Sequence, residues 1–291
     1  MSQYFLVGRQ ALLSRHVRRC LIANEDGVRI YETQRSPDNH VSESPLVLDL
    51  DLSAAPSSWP TLPGRMRSAF LAAAITNQVA VEVDTRLSWL VNVDHTLDLA
   101  RKILADGEHL VFPSTNLVLP CTMPQQLATT RLSPNGVYAE QKAAVETALQ
   151  DINGAVAICR LSKVIASETP LVSRWIDALK NHGSVEAFTD LYISPVSVSF
   201  AANIIARIMA SQENGIFQIS GRDDISYFDL ATAMARKLGA PASCVIPASA
   251  KDAGLMQNSL VRHPGMDMRD VERMFGVKPQ SLEELVGELI I

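Results

Sequence analysis

The sequence predicts an α/β protein, a doubly wound parallel sheet of the Rossmann type with a smaller C-terminal region, and three observations carry that reading. Short apolar runs alternate with helix-spaced stretches from residue 3 to about residue 165. Strands of a parallel sheet, covered by helices on both faces, leave that signature. The first run, YFLV, ends at Gly8 and opens directly into a helical segment, where such folds make their tightest turn. From about Ser167 the alternation loosens, which marks a second, smaller region.

The elements follow in order. ALLSRHVRRCLIAN places Leu12, Leu13, Val17 and Leu21 at helical spacing, and GVRIYE reads as the second strand. PLVLDLDL, from Pro45, is the third strand and RSAFLAAAIT the fourth, with the Pro-rich APSSWPTLPG between them as a surface connection. VNVDHTLDLARKIL is an amphipathic helix with Val93, Leu97 and Ile103 or Leu104 on one face. EHLVFPSTN is a fifth strand, VYAEQKAAVETALQ the next helix and AVAICRLSKVI the next strand. On this pattern residues 1–166 form a dinucleotide-binding domain and residues 167–291 a partly interleaved substrate-binding region.

Composition excludes several classes. The formal net charge is −5, so no general affinity for nucleic acid or anionic membrane is expected. Cys20, Cys121, Cys159 and Cys244 are dispersed, so neither a thiolate metal site nor a redox pair is expected, and a reducing cytoplasmic setting is. No apolar stretch approaches the roughly 20 residues of a membrane span, and the short apolar run at the N-terminus is too short for a signal peptide.

The first turn is the candidate pyrophosphate site. Small residues are needed there, because backbone must approach phosphate and the helix must pack near the sheet. Here Gly8, Ala11 and Ser14 recur at three-residue spacing, with Leu13 between the last two. Ala11 adds a methyl group where phosphate would approach. Glu32 falls at the expected end of the second strand, where an acid accepts hydrogen bonds from a ribose 2′-hydroxyl and favours NAD. Arg35 stands close by and suits a 2′-phosphate instead, so NAD or NADP both remain open, with NAD slightly favoured.

The ordered set of motifs resembles the extended short-chain dehydrogenases/reductases. YAEQK is similar to their Tyr-x-x-x-Lys, FPSTNLVL to their Ser-Thr-x-x-Val strand, FLAAAIT to their Ala-rich fourth strand end and LVNVDHTLDLA to the Asn-containing helix after it. LSPNGVYAEQK, AICRLSKVIA and HPGMDMRDVERMFGVKPQSLEELV resemble later segments, so the likeness runs through nearly the whole chain. Within that superfamily the chain looks most like the dTDP-4-dehydrorhamnose reductase group of the epimerase/dehydratase family. It departs at Asn116 and Leu117, where those reductases have Asp and Tyr, and at Ala139, where they have Gly.

The resemblance implies a reductase, epimerase or dehydratase of a nucleotide sugar, with Tyr138 as acid/base, Lys142 as its partner and ribose ligand, and Thr115, beside Ser114, as the carbonyl-oxygen donor. A Tyr of ordinary pKa about 10 is a poor base near neutrality, and a Lys one helical turn away is expected to lower it. The implied cofactor lining is Gly8, Ala11, Leu13, Glu32, Asp51 (with Asp49 as its alternative), Leu52, Ala72, Ala73, Ala74, Tyr138 and Lys142. A homodimer through about Trp89–Leu104 and Val137–Gln150 is also implied. The competing reading is a non-catalytic nucleotide-binding or regulatory protein on the same fold. The depleted glycine turn favours it, while the intact Thr115, Tyr138 and Lys142 set favours the enzyme.

Overall fold

The computed structural model describes residues 1–35, 46–254 and 261–290; Pro45, which opens the expected third strand, lies outside them. The chain divides into two units. One comprises Met1–Val118, Pro134–Arg160 and Ala202–Phe217, the other Leu119–Ser133, Leu161–Ala201 and Gln218–Ile291. The chain therefore changes unit five times, where the sequence alone marks one boundary near residue 166.

In the first unit the order is β1 (Gln3–Val7), α1 (Leu12–Asn24), β2 (Arg29–Gln34), β3 (Val47–Asp49), β4 (Ser68–Leu71), α2 (Gln78–Val83) and α3 (Thr85–Trp89). A π-helical turn, Leu90–His95, leads into α4 (Thr96–Ala105), then β5 (His109–Thr115), α5 (Val137–Asp151) and β6 (Ala155–Leu161). There follow β7 (Lys163–Ile165), α6 (Pro170–Lys180), β8 (Val185–Phe188), β9 (Tyr192–Ile193), β10 (Pro195–Ser197), α7 (Val198–Ser211) and β11 (Gly215–Ile219). The last elements are β12 (Ile225–Ser226), α8 (Tyr227–Leu238), β13 (Val245–Ala248), α9 (Arg269–Phe275) and α10 (Leu282–Leu289).

Seven strands form one parallel sheet in the order β11-β6-β5-β4-β1-β2-β3. Tyr4 opposes both Ile30 and Ser68, Thr33 opposes Leu48, and Ala69 opposes Leu110. The chain starts in the middle, winds outward to β3 and then to the other side, which is the doubly wound topology expected. All seven residues of β5 are buried, as a strand covered on both faces must be. Helix α1 buries Ser14, Val17 and Leu21, spaced three and four apart, so its inner stripe includes Ser14 rather than Leu12 or Leu13. One face of the sheet packs Phe5, Ala69, Leu110 and Phe112 with Leu99, Ile103 and Leu149. Each such large side chain contributes about 1.5–3 kcal/mol by leaving water.

Several strands differ from expectation. The third is strand only over Val47–Asp49, and the run AVAICRLSKVI breaks at Ser162 into β6 and β7, the latter pairing with β10 in a separate two-stranded sheet. The fourth run is strand only to Leu71; Ala72 N still donates to Val7 O, and the chain then leaves the sheet as a loop. The sheet also recruits β11 from beyond residue 166, with Phe217 and Ile219 buried.

The second unit has its own core, in which Trp175, Leu179, Leu230, Met234, Leu285 and Val286 meet. Capping boxes, Ser226 with Asp229 and Ser281 with Glu284, start α8 and α10. Among the described residues no helix is long and apolar enough to cross a membrane.

Candidate active site

The C-terminal ends of β1, β2, β4 and β5 collect most of the residues singled out by sequence. Gly8 has φ +96°, and a Cβ there would lie 3.0 Å from the backbone N and Cα of Ala73. Only glycine fits, because both the conformation and the space exclude a side chain. Gly8 N donates to Thr33 Oγ1 (2.9 Å) and Arg9 N to Thr33 O (2.9 Å), so the turn is hung from β2. Ala11 is the N-cap of α1, without a side-chain acceptor, and the first turn holds no acidic residue. The opening amides of a 13-residue helix therefore carry uncompensated positive potential beside a glycine cradle. That arrangement fits a pyrophosphate. Ala11 and Leu13 are half-buried at its rim.

Glu32 requires a correction. It is not at the end of β2, which runs on to Gln34. Glu32 is buried, and its Oε2 lies 3.5 Å from Nε of Arg18 on α1, an ion pair with a half-exposed partner. The strand end carries Gln34, which accepts from Arg9 Nη1 (3.3 Å) and donates to Asp49 Oδ1 (2.9 Å). Arg35 follows, exposed. After β3, Asp51 Oδ1 accepts from Ser53 N and Ser53 Oγ (2.8 Å each), forming a local turn, and Leu52 is buried.

Ala72, Ala73 and Ala74 form the half-exposed loop after β4. Asn92, in the π-helical turn, holds the next residue by both backbone groups: Oδ1 accepts from Ile75 N (2.8 Å) and Nδ2 donates to Ile75 O (2.9 Å). Asn92 Nδ2 also donates to Gln141 Oε1 (2.8 Å), and Gln141 Nε2 donates to Ser88 Oγ (2.9 Å). This buried relay ties the Ala72–Ala74 loop to the helix bearing Tyr138 and Lys142. Sequence reasoning missed Gln141 and Ser88. The only available signal was a polar residue on the inner face of α5, next to Lys142.

Thr115 is the last residue of β5, with Oγ1 accepting from Leu117 N (3.2 Å) and lying 3.4 Å from Asn116 Oδ1. Ser114 Oγ is buried and has no hydrogen-bond partner among the described residues. Lys142 is buried, donates to Pro113 O (2.8 Å), and lies 4.4 Å from the Phe112 ring centre and 5.9 Å from that of Tyr138. The structure thus brings Lys142 beside Tyr138 and within two residues of Thr115 along β5.

The expected depression of the Tyr138 pKa is contradicted. Burial pushes the phenol up to about 12, and desolvation pushes Lys142 down to about 8, with Glu146 opposing. The reason is that apolar surroundings penalise both charged forms, and the Lys142 ammonium is turned to Pro113 O. Tyr138 is therefore protonated near neutral pH.

Lys142→Met should raise stability at pH 7, by up to roughly 3 kcal/mol given about 1.4 kcal/mol per pKa unit. The folded pKa lies below the unfolded one, so between about pH 8 and 10.5 the unfolded chain holds more protons, and wild-type stability gains with pH. The advantage of the variant should shrink across that window. Urea unfolding at pH 7 and pH 9.5 measures it; a K142M chain less stable than wild type at pH 7 would contradict the buried charge.

A family model described as RmlD substrate binding domain matches residues 4–291. No curated protein sequence matches the chain significantly. Among solved structures, the chain is similar to a dTDP-4-dehydrorhamnose reductase from Bacillus anthracis str. Ames in complex with NADP, at 17% identity over 99% of each chain and a TM-score of 0.81. It is similar to the dTDP-4-dehydrorhamnose reductase of Yersinia enterocolitica, at 18% identity over 100% of each chain and a TM-score of 0.79. A UDP-glucose 4-epimerase of Thermus thermophilus, in complex with NAD, matches at 17% identity, with 99% of this chain and 98% of that one covered and a TM-score of 0.75.

Proposed function

The chain belongs to the RmlD substrate binding domain family, and on that premise we propose that it is a nicotinamide-dependent oxidoreductase that reduces the keto group of a nucleotide sugar. One observation supports this above the others: Tyr138 and the buried Lys142 lie one turn apart at the start of α5, with Lys142 Nζ 5.9 Å from the Tyr138 ring centre and bonded to Pro113 O of the strand that ends in Thr115. Gly8, Ala11 and Leu13 would hold the pyrophosphate, Asp51 and Leu52 the adenosine, and Ala72–Ala74 the middle of the cofactor. A reduced nicotinamide, when bound, supplies the hydride. The rest falls to the chain. Thr115 donates its hydroxyl hydrogen to the carbonyl oxygen and polarises it. Tyr138 gives its phenolic proton to the developing alkoxide, a far stronger base. Lys142 exchanges Pro113 O for the ribose and keeps positive charge beside the phenolate that forms.

The pairing of Glu32 with Arg18, with Arg9 and Arg35 at the ends of β1 and β2, favours NADP(H) over NAD(H). A 2′-phosphate gains charge-assisted hydrogen bonds there. The second unit would take the sugar nucleotide. The test is calorimetry of the full chain with NADPH and NADH, then turnover of nucleotide 4-keto sugars, dTDP-4-dehydrorhamnose first. NADPH is expected to bind about tenfold tighter, the worth of one such bond, and a keto sugar to be reduced. Binding without turnover of any keto sugar would instead support the non-catalytic reading, and no binding would reject both.

A further inference from the structure

The mechanism leaves His95 unused, yet its environment is specific. His95 is buried, and its Nδ1 lies 2.6 Å from Leu52 O. A carbonyl only accepts, so Nδ1 carries the hydrogen. The His95 ring meets the Trp59 ring edge-on, with centroids 5.6 Å apart and planes at 90°. Trp59 Nε1 donates to Asp51 O (3.1 Å), and Lys102 Nζ sits 5.2 Å from the centre of the Trp59 ring while donating to Pro56 O (3.3 Å). The loop after β3 is thus fixed at Asp51 and Leu52, by two aromatic residues that grip consecutive carbonyls.

Both loop contacts come from the π-helical turn. Thr96 Oγ1 donates to Val91 O (2.8 Å) across it, and Asn92 and His95, three residues apart, both turn inward. Asn92 takes the loop after β4 and His95 the loop after β3. Short π segments of this kind mark functional positions in helices.

We propose that His95 is a positioning residue for the adenosine half of the cofactor, acting through Leu52 O and Trp59 on the Asp51–Leu52 backbone. This rests on the reading above, in which Asp51 and Leu52 receive the adenosine. His95 acts on one end of the cofactor alone, and the proton-transfer machinery on α5 is independent of it.

The experiment compares wild type, His95→Phe, His95→Asn and Trp59→Phe as full chains. H95F keeps a ring against Trp59 and loses the donor to Leu52 O, H95N restores a donor, and W59F removes the bond to Asp51 O. Calorimetric affinities are read for NADPH, 2′,5′-ADP and ADP, with kcat at saturating NADPH. H95F and W59F should each weaken NADPH and its adenosine fragment by the same factor, about tenfold for a lost hydrogen bond that organises the loop. kcat should stay at the wild-type value, and H95N should recover part of the affinity. A folded H95F that binds 2′,5′-ADP and ADP within twofold of wild type overturns the proposal. So does a fall in kcat with fragment affinity unchanged. If H95F does not fold, W59F decides by the same criterion. Wild type that binds neither NADPH nor either fragment rejects the reductase reading, and this proposal falls with it. Wild-type binding with unaltered variants rejects this proposal alone.

Discussion

Tyr138→Phe is expected to cut turnover by roughly 10²–10⁴-fold, the scale of a positioned acid/base, while leaving cofactor affinity and stability near wild type. The substitution removes one oxygen and keeps the ring packing. Desolvation holds this phenol at about 12, so its own ionisation does not limit the reaction in the neutral range. The alkaline limb should belong to Lys142 instead. With its pKa pushed down to about 8, the ammonium is lost as pH rises through that value, and turnover should fall with it. Lys142→Arg keeps the charge, so whatever activity it retains should lose that limb. Full activity in Y138F would remove the proton-donor assignment, and an alkaline limb near 8 that persists in K142R would remove Lys142 as its source.

Much of the fold was legible because it rests on local pattern. Alternation of apolar strands and helices needs no tertiary knowledge, and a glycine at the end of β1 declares a turn. The Tyr138–Lys142 spacing likewise survives as a pair on one helix, since positions four apart share a face. What was illegible depends on partners distant in sequence. Glu32 reads as a strand-end acid until Arg18, on the preceding helix, is seen to take its carboxylate. The Ser88–Gln141–Asn92–Ile75 relay joins residues up to 53 positions apart, and polar residues in a helix give no hint of which ones meet. The direction of the Tyr138 shift could not be read either. Proximity of a Lys predicts a lowered value, but desolvation of the phenol decides the outcome, and desolvation is a property of the packed unit. β11 was visible as an apolar run, yet nothing local says that a strand after residue 166 returns to the first sheet.

Breaking the ion pair beneath Lys142 should have the largest effect on stability. Arg160 on β6 grips Glu146 on α5: Nε lies 3.2 and 3.0 Å from the two carboxylate oxygens and Nη2 lies 2.8 Å from Oε2. The side chains are 2% and 0% exposed, so water can replace neither partner. Glu146→Gln removes the carboxylate charge that faces the buried guanidinium, and breaking one side of such a pair costs about 3–5 kcal/mol. That is a large fraction of a typical total of about 5–15 kcal/mol. Arg160→Met should cost a similar amount by stranding the carboxylate. The double variant Glu146→Leu with Arg160→Met removes both charges, and apolar replacements of buried pairs are often neutral or stabilising. It should therefore be more stable than either single variant, and the cycle should show strong coupling. The same pair bears on the site, because Glu146 stands one helical turn from Lys142 and raises its pKa against desolvation. E146Q, where it folds, should move the alkaline limb of turnover to lower pH, and urea unfolding of the four chains measures the rest. An E146Q chain within about 1 kcal/mol of wild type, the range of exposed pairs, would mean that solvent reaches Arg160 and that the buried pair does not anchor the helix that carries Tyr138 and Lys142.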